Sequence, residues 1–185
     1  MSKDKKNQLS GFFQNLPEFF TLFKGQIIEA KDIKLADLSH KKVAVIGANQ
    51  LSVSYLDHIT QHAESVKVFQ IKPHFVLPHT EKAIHRILNH PLLLKKRLKL
   101  KPQLKILLAT RFLESQIQDN WLKRHLMPNP TSKNRIFFKS DAYYAALQKG
   151  NCKLITWPVL KVTENGVYSL EGIEHKVDLV VTTFE

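Results

Sequence analysis

One cysteine, Cys152, is all that 185 residues contain. That excludes a disulfide framework and any metal site built from several thiolates, and it fits a reducing cytoplasm. The residue itself reads as a small, semi-buried side chain after a turn. Glycine and proline are also sparse, at six and eight residues, so collagenous and low-complexity classes are excluded. No stretch approaches the roughly 18 uninterrupted apolar residues that a membrane span needs; the segment from Leu104 to Ala109 already contains Lys105 and lies between Lys101 and Arg111. Near the N-terminus Lys3, Lys5 and Lys6 are diluted by Asp4, and no apolar run with a small-residue cleavage site follows. No secretory leader is therefore expected. Acidic residues are the scarce charge: 16 against 28 Lys and Arg leaves a net +12, enough to attract a phosphorylated ligand, a polyanion or an anionic membrane surface.

What remains is the composition of a folded chain of one ordinary domain, with 43% hydrophobic residues. Residues 1–40 read as a connector with short strands, rich in phenylalanine (Phe12, Phe13, Phe19, Phe20, Phe23) and broken by Pro17 and Gly25. From Val43 to Gly47 the run is rich in β-branched residues, apolar on both faces and ends in glycine, the pattern of a buried parallel strand entering a turn. Leu51, Tyr55, Leu56, Ile59 and Ala63 then recur at helical spacing, and Val66 to Gln70 supplies a second strand, which completes a βαβ pattern.

Past Pro73 and Pro78 two long helices are predicted, over 80–99 and 103–125, as an insertion spanning about 80–125 and separated at Pro102. Ser140 or Asp141 caps a short helix through Leu147 that Gly150 stops. Strands follow at Lys153–Trp157, Leu160–Glu164 and Val167–Leu170, with Asn165-Gly166 as a type I′ hairpin signal, and Asp178–Thr183 ends the pattern as a buried strand. The order predicts an α/β fold: a Rossmann-like, mainly parallel sheet over residues 41–185, with a helical insertion and a C-terminal β-hairpin.

The turn Gly47-Ala48-Asn49-Gln50-Leu51-Ser52 stands where a dinucleotide-binding G-x-G-x-x-G would stand, keeping only its first glycine. Asn tolerates left-handed backbone and Ser52 is small enough for close packing, so the loop can still offer amides to a phosphate at a helix N-terminus. The plainer alternative is an ordinary strand-to-helix turn. After the second strand come Gln70, Ile71 and Lys72 with no acid for a ribose hydroxyl. A cation there favours a 2′-phosphate; otherwise Lys72 is an exposed loop lysine.

Several segments, taken together, resemble the flavin-dependent monooxygenases of the Baeyer–Villiger and N-hydroxylating type. Phe23-Lys24-Gly25-Gln26-Ile27-Ile28-Glu29 is similar to the family's F-x-G-x-x-x-H fingerprint, with Glu29 in place of histidine. Val43 to Ser52 resembles its NADPH-binding glycine loop. Val68-Phe69-Gln70-Ile71-Lys72-Pro73-His74-Phe75 resembles V-F-Q-R-[ST]-P-x-[WY], with Ile71 at the phosphate-reading arginine. Leu126-Met127-Pro128, Arg135 and Ser140-Asp141-Ala142-Tyr143-Tyr144-Ala145-Ala146-Leu147 resemble the L-x-P, K-R and D-x-Y-Y-x-x-L stretch. The resemblance runs from about Gly11 to Glu185, where Glu185 falls on the glycine of the family's A-T-G.

The resemblance implies an NADP(H)-binding portion of an FAD-dependent oxidoreductase. It places Gly47, Ala48, Asn49, Gln50, Leu51 and Ser52 at the pyrophosphate, Lys72 beside the 2′-phosphate in the arginine's stead, and Arg135 as either a cofactor-binding cation or a surface loop residue. The glycine loop that holds FAD in the family has no counterpart before Gly47, where only Gly11 and Gly25 occur. The expected partners are therefore a dinucleotide and a separate FAD-binding polypeptide, and no catalytic residue is assigned.

Other chemistry finds less support. His58 and His62 form the one helix-spaced histidine pair, without an evident third metal ligand. Tyr143 and Tyr144 are consecutive, so at most one is expected to point squarely into the core. No G-x-S-x-G, H-E-x-x-H or P-loop is present. A reading from a different class is a basic helical surface for nucleic acid or anionic membrane, drawn from Lys95, Lys96, Arg97, Lys99, Lys101 and Lys105 among leucines. No recognised nucleic-acid motif accompanies that charge.

Overall fold

The computed structural model describes residues 20, 22–79, 101–132 and 134–183. Its centre is a five-stranded parallel sheet in the order β1-β10-β2-β3-β6. The strands are β1 (Gln26–Glu29), β2 (Lys42–Ile46), β3 (Ser65–Phe69), β6 (Cys152–Ile155) and β10 (Leu179–Thr182). The sheet thus takes its edge strand from the segment preceding residue 40, and a 3₁₀ helix, Ala30–Leu35, follows it.

Both faces of the sheet are covered, which is why β2 and β10 read as unbroken apolar runs. Val43, Val45, Val66, Val68, Leu179 and Val181 pack into one core with α1 (Gln50–His62), through Val53, Leu56 and Ile59. Ala44, Ile46, Phe69 and Val180 face the opposite way, against Val162 and Val167. Those two belong to a three-stranded antiparallel sheet of β7 (Val159–Val162), β8 (Gly166–Ser169) and β9 (Glu174–Lys176). The α/β architecture, the parallel sheet and the C-terminal hairpin are as the sequence predicts.

The insertion differs from its reading. It is framed by a parallel ribbon, β4 (Phe75–Leu77) with β5 (Phe137–Lys139), which the sequence did not suggest because each strand is only three residues long. The predicted helix over 80–99 and the basic stretch Lys95–Lys99 lie outside the described residues. The helix predicted over 103–125 is two helices, α2 (Pro102–Gln116) and α3 (Asn120–Leu126). The break has a cause: Ile117 leaves helical geometry fully buried, and Asp119 caps α3 by accepting from the Leu122 amide at 2.8 Å. The short α4 (Tyr143–Leu147) begins where the Ser140 hydroxyl accepts from the Tyr143 amide at 3.2 Å, whereas Asp141 accepts from the His79 amide at 2.7 Å.

Two local expectations are corrected. Asn165-Gly166 does not form a type I′ turn. The Thr163 amide donates to the Gly166 carbonyl at 2.8 Å, so the central residues are Glu164 and Asn165, and neither has positive φ. Gly166 is required for space, since a Cβ there would stand 2.2 Å from the His175 carbonyl oxygen. Tyr143 and Tyr144 are both buried, at 3% and 1% exposure. Tyr144 packs on Phe112 while Tyr143 turns to Gln70, so a short helix enclosed on two sides places consecutive residues in the core.

Candidate functional site

Strands β2, β3 and β6 proceed from the centre of the sheet toward one edge, whereas β10 lies on the other side of β2. The strand order therefore reverses between β2 and β10, and ligands of open α/β sheets bind beyond the carboxyl ends of the strands at such a point. Gly47 lies there. Its φ is +85°, its amide donates to the Phe69 carbonyl at 2.9 Å, and a Cβ would meet Thr183 Oγ1 at 2.3 Å. Glycine is thus needed both for its left-handed backbone and for the close approach of β10. Thr183 Oγ1 in turn donates to the Ile46 carbonyl at 3.0 Å, binding the two strand ends across the reversal.

The next residues form the start of α1. Asn49 is its N-cap: Asn49 Oδ1 accepts from the Ser52 amide at 2.9 Å and Ser52 Oγ accepts from the Asn49 amide at 3.0 Å, a reciprocal capping box. This consumes two of the amides that a phosphate would seek. Among the described residues the amides of Ala48, Gln50 and Leu51 donate to no protein acceptor, and no acidic residue occupies the first turn of α1. The positive end of the helix is therefore open to an anion through three donors. Leu51 is half-exposed and Ser52 is buried, which suits the close-packing role read for it.

Gln50 has a role that the sequence does not disclose. Its Nε2 donates to the Lys139 carbonyl at 2.8 Å and its Oε1 accepts from the Lys139 amide at 2.9 Å. The first residue of α1 thereby grips the end of β5 by both backbone groups, and Lys139, exposed, stands beside the helix start. Lys72 and Arg135 are both exposed. They lead into β4 and β5, whose entries run side by side because the Phe75 amide donates to the Ile136 carbonyl at 3.2 Å. Among the described residues neither cation has an ion-pair partner. Between Lys72 and β4 sits His74, partly buried with its ring edge-to-face on Phe138 at 5.1 Å. Burial, aided by Lys72, holds His74 below its ordinary pKa.

The remaining candidates are structural. The rings of His58 and His62 lie 4.4 Å apart, and no cluster of three or more His, Cys, Asp or Glu able to hold a metal exists among the described residues. Burial pushes the Cys152 thiol up to about 12, which disfavours the thiolate. No helix among the described residues is long and apolar enough to cross a membrane.

A βαβ unit with a glycine turn and a capped helix at the strand-order reversal defines the class of Rossmann-like α/β folds. Within that class no protein-family model matches the chain, but individual relatives do. A Baeyer–Villiger monooxygenase of Pseudomonas aeruginosa is 30% identical over 167 residues, covering 78% of this chain and 32% of that protein. An FAD-binding monooxygenase of Botryotinia fuckeliana is 29% identical over 189 residues, covering 86% and 36%. Among solved structures, an open form of cyclohexanone monooxygenase superposes with a TM-score of 0.68 at 16% identity, over 92% of this chain and 45% of that one. An oxidised steroid monooxygenase bound to NADP gives 0.67 at 19% identity, over 91% and 43%. The chain is homologous to one portion of the flavin-dependent monooxygenases of the Baeyer–Villiger type, and it spans about a third of the length of its curated relatives.

Proposed function

We propose that this chain is the NADP(H)-binding portion of a flavin-dependent monooxygenase-like oxidoreductase, acting with an FAD-binding module outside these residues. The observation that carries the reading is the placement of Gly47 and the open N-terminus of α1 at the strand-order reversal. The residues present fit a pyrophosphate there: the amides of Ala48, Gln50 and Leu51 would donate to it, and Lys139, held by Gln50, would supply a nearby cation. Lys72 and Arg135, both exposed, would meet the adenosine end, where the absence of an acid after β3 favours a phosphorylated ribose. NADPH, when bound, supplies a hydride; this chain's residues hold and orient it, and the flavin chemistry belongs to the other module.

Calorimetric titration of the purified chain with NADPH tests the reading. Saturable binding that Gly47→Ala abolishes is expected, and no saturable binding up to millimolar NADPH would overturn it. A yellow chain retaining stoichiometric FAD would overturn the assignment of the flavin to a separate module.

A further inference from the structure

Lys67 of β3 and Lys153 of β6 are register partners in the parallel ladder, so two cations stand directly opposite one another on strands about 4.8 Å apart. Alternation puts both on the face that carries Phe69 and Ile155, the one packed against the β7–β9 sheet, while Val66, Val68 and Leu154 turn to the α1 core. Lys153 is exposed and Lys67 partly buried. Like charges opposed in this way destabilise a sheet. Among the described residues neither ammonium has an ion-pair partner. Burial foremost, then Lys153 and Lys42, hold Lys67 below its ordinary pKa, and no acid among the described residues offsets them. The adjoining wall is β9 with the turn before it. The His175 ring meets Phe69 edge-to-face at 5.3 Å, and its Nε2 lies 3.2 Å from Ser169 Oγ and 3.7 Å from Glu171 Oε1. Glu171, the acid at this ring, is engaged within its own turn, where Ser169 Oγ donates to it at 3.3 Å.

We propose that Lys67 and Lys153 form a binding site for a phosphate dianion on the hairpin-side face of the central sheet, apart from the nucleotide site. The proposal does not rest on the dinucleotide reading, since α1, whose N-terminus carries that reading, packs on the opposite face. A tetrahedral dianion suits the pair. The two ammoniums, on flexible stems rooted in neighbouring strands, can each donate to a different oxygen, and a double charge neutralises both. Binding turns a repulsion within the ladder into two attractions, so occupancy stabilises the fold by linkage. A free phosphate ion and a phosphomonoester present the same oxygens.

The test is urea unfolding of the full chain in inorganic phosphate, in phenyl phosphate and in chloride at matched ionic strength, for the natural sequence, Lys67→Gln, Lys153→Gln, Lys161→Gln and Gly47→Ala. Phosphate should raise the midpoint above chloride and saturate in the millimolar range, whereas a salt acting only by exclusion from the protein surface gives no saturation. Each of Lys67→Gln and Lys153→Gln should raise the midpoint in chloride, because the repulsion is gone, and weaken phosphate affinity roughly tenfold. Lys161→Gln and Gly47→Ala should keep the phosphate response. A larger response to phenyl phosphate assigns the site to a monoester and an equal one assigns it to the free ion; either supports the site. If phosphate and chloride give the same midpoint, or if both lysine variants keep the response, the inference fails. If Gly47→Ala alone abolishes it, the ion sits at the start of α1, and the inference fails while the dinucleotide reading gains.

Discussion

At the scale of single residues, the structure ties the candidate site to a few positions whose replacement has a computable consequence. Gly47→Ala forces a side chain into a left-handed backbone and against Thr183 Oγ1 at 2.3 Å. The expected cost is about 1–3 kcal/mol, read as a lowered denaturant midpoint. Asn49→Ala removes one half of the capping box and should cost about 1 kcal/mol in the same measurement. It should also release the Ser52 amide and leave nucleotide affinity nearly unchanged. The glycine turn at Gly47 was legible because the strand and the turn lie within a few residues of sequence, whereas the cap was not read: Asn49, expected to relieve a left-handed backbone, is an extended N-cap with φ −131° that shares a capping box with Ser52. Nor were the contacts of Gln50 and Gln70 legible: their partners, Lys139 and Tyr143, are 89 and 73 residues away. No local pattern encodes such a contact.

At the scale of elements, periodicity located β2, α1, β3, β6 and β10, whose apolar residues face cores on known sides, and it failed where tertiary contacts decide. The helix predicted over 103–125 breaks because burying Ile117 and capping α3 with Asp119 is favoured over continuing the turn. The ribbon of β4 and β5 pairs segments far apart in sequence and gives no alternation long enough to read. Gly166 misled in type: its glycine answers the crowding of β9, not a turn conformation. Gly166→Val should therefore destabilise the β7–β9 sheet, seen as faster amide exchange at Val167 and His175. Gln50→Ala should likewise free β5 from α1, with accelerated exchange of the Lys139 amide while the central sheet stays protected.

At the scale of the whole molecule, acid should weaken the fold. His175 is 6% exposed beside Ser169, Glu171, Phe69, Lys67 and Lys153, and burial foremost, then Lys67, lowers its pKa in the folded state. His74 and His58 are lowered too, chiefly by burial. Between those lowered values and the ordinary value near 6.5, the unfolded chain binds more protons than the folded one. Stability is thus full above about pH 6.5 and is lost as pH falls through the folded-state values. Urea midpoints at pH 7 and pH 5 should show the loss, and His175→Gln should reduce the difference. The net charge of +12 makes a second whole-molecule test. Steep salt-dependent association with DNA or acidic vesicles would favour a polyanion-binding surface, and indifference at low salt would remove that reading.

The position of β10 carries one more consequence, for the order in which the protein assembles. This strand is the last of the described strands and it is wedged between β1 and β2, the first two of them. While the polypeptide emerges from the ribosome, those early strands have their ladder partner still unmade, and β2 can pair only with β3. Closure of the sheet then waits for residues 179–182 to slide between them. Such long-range insertion is slow and leaves unpaired edges open to aggregation in the interval, so expression at reduced temperature or with chaperone support should raise the yield of native material.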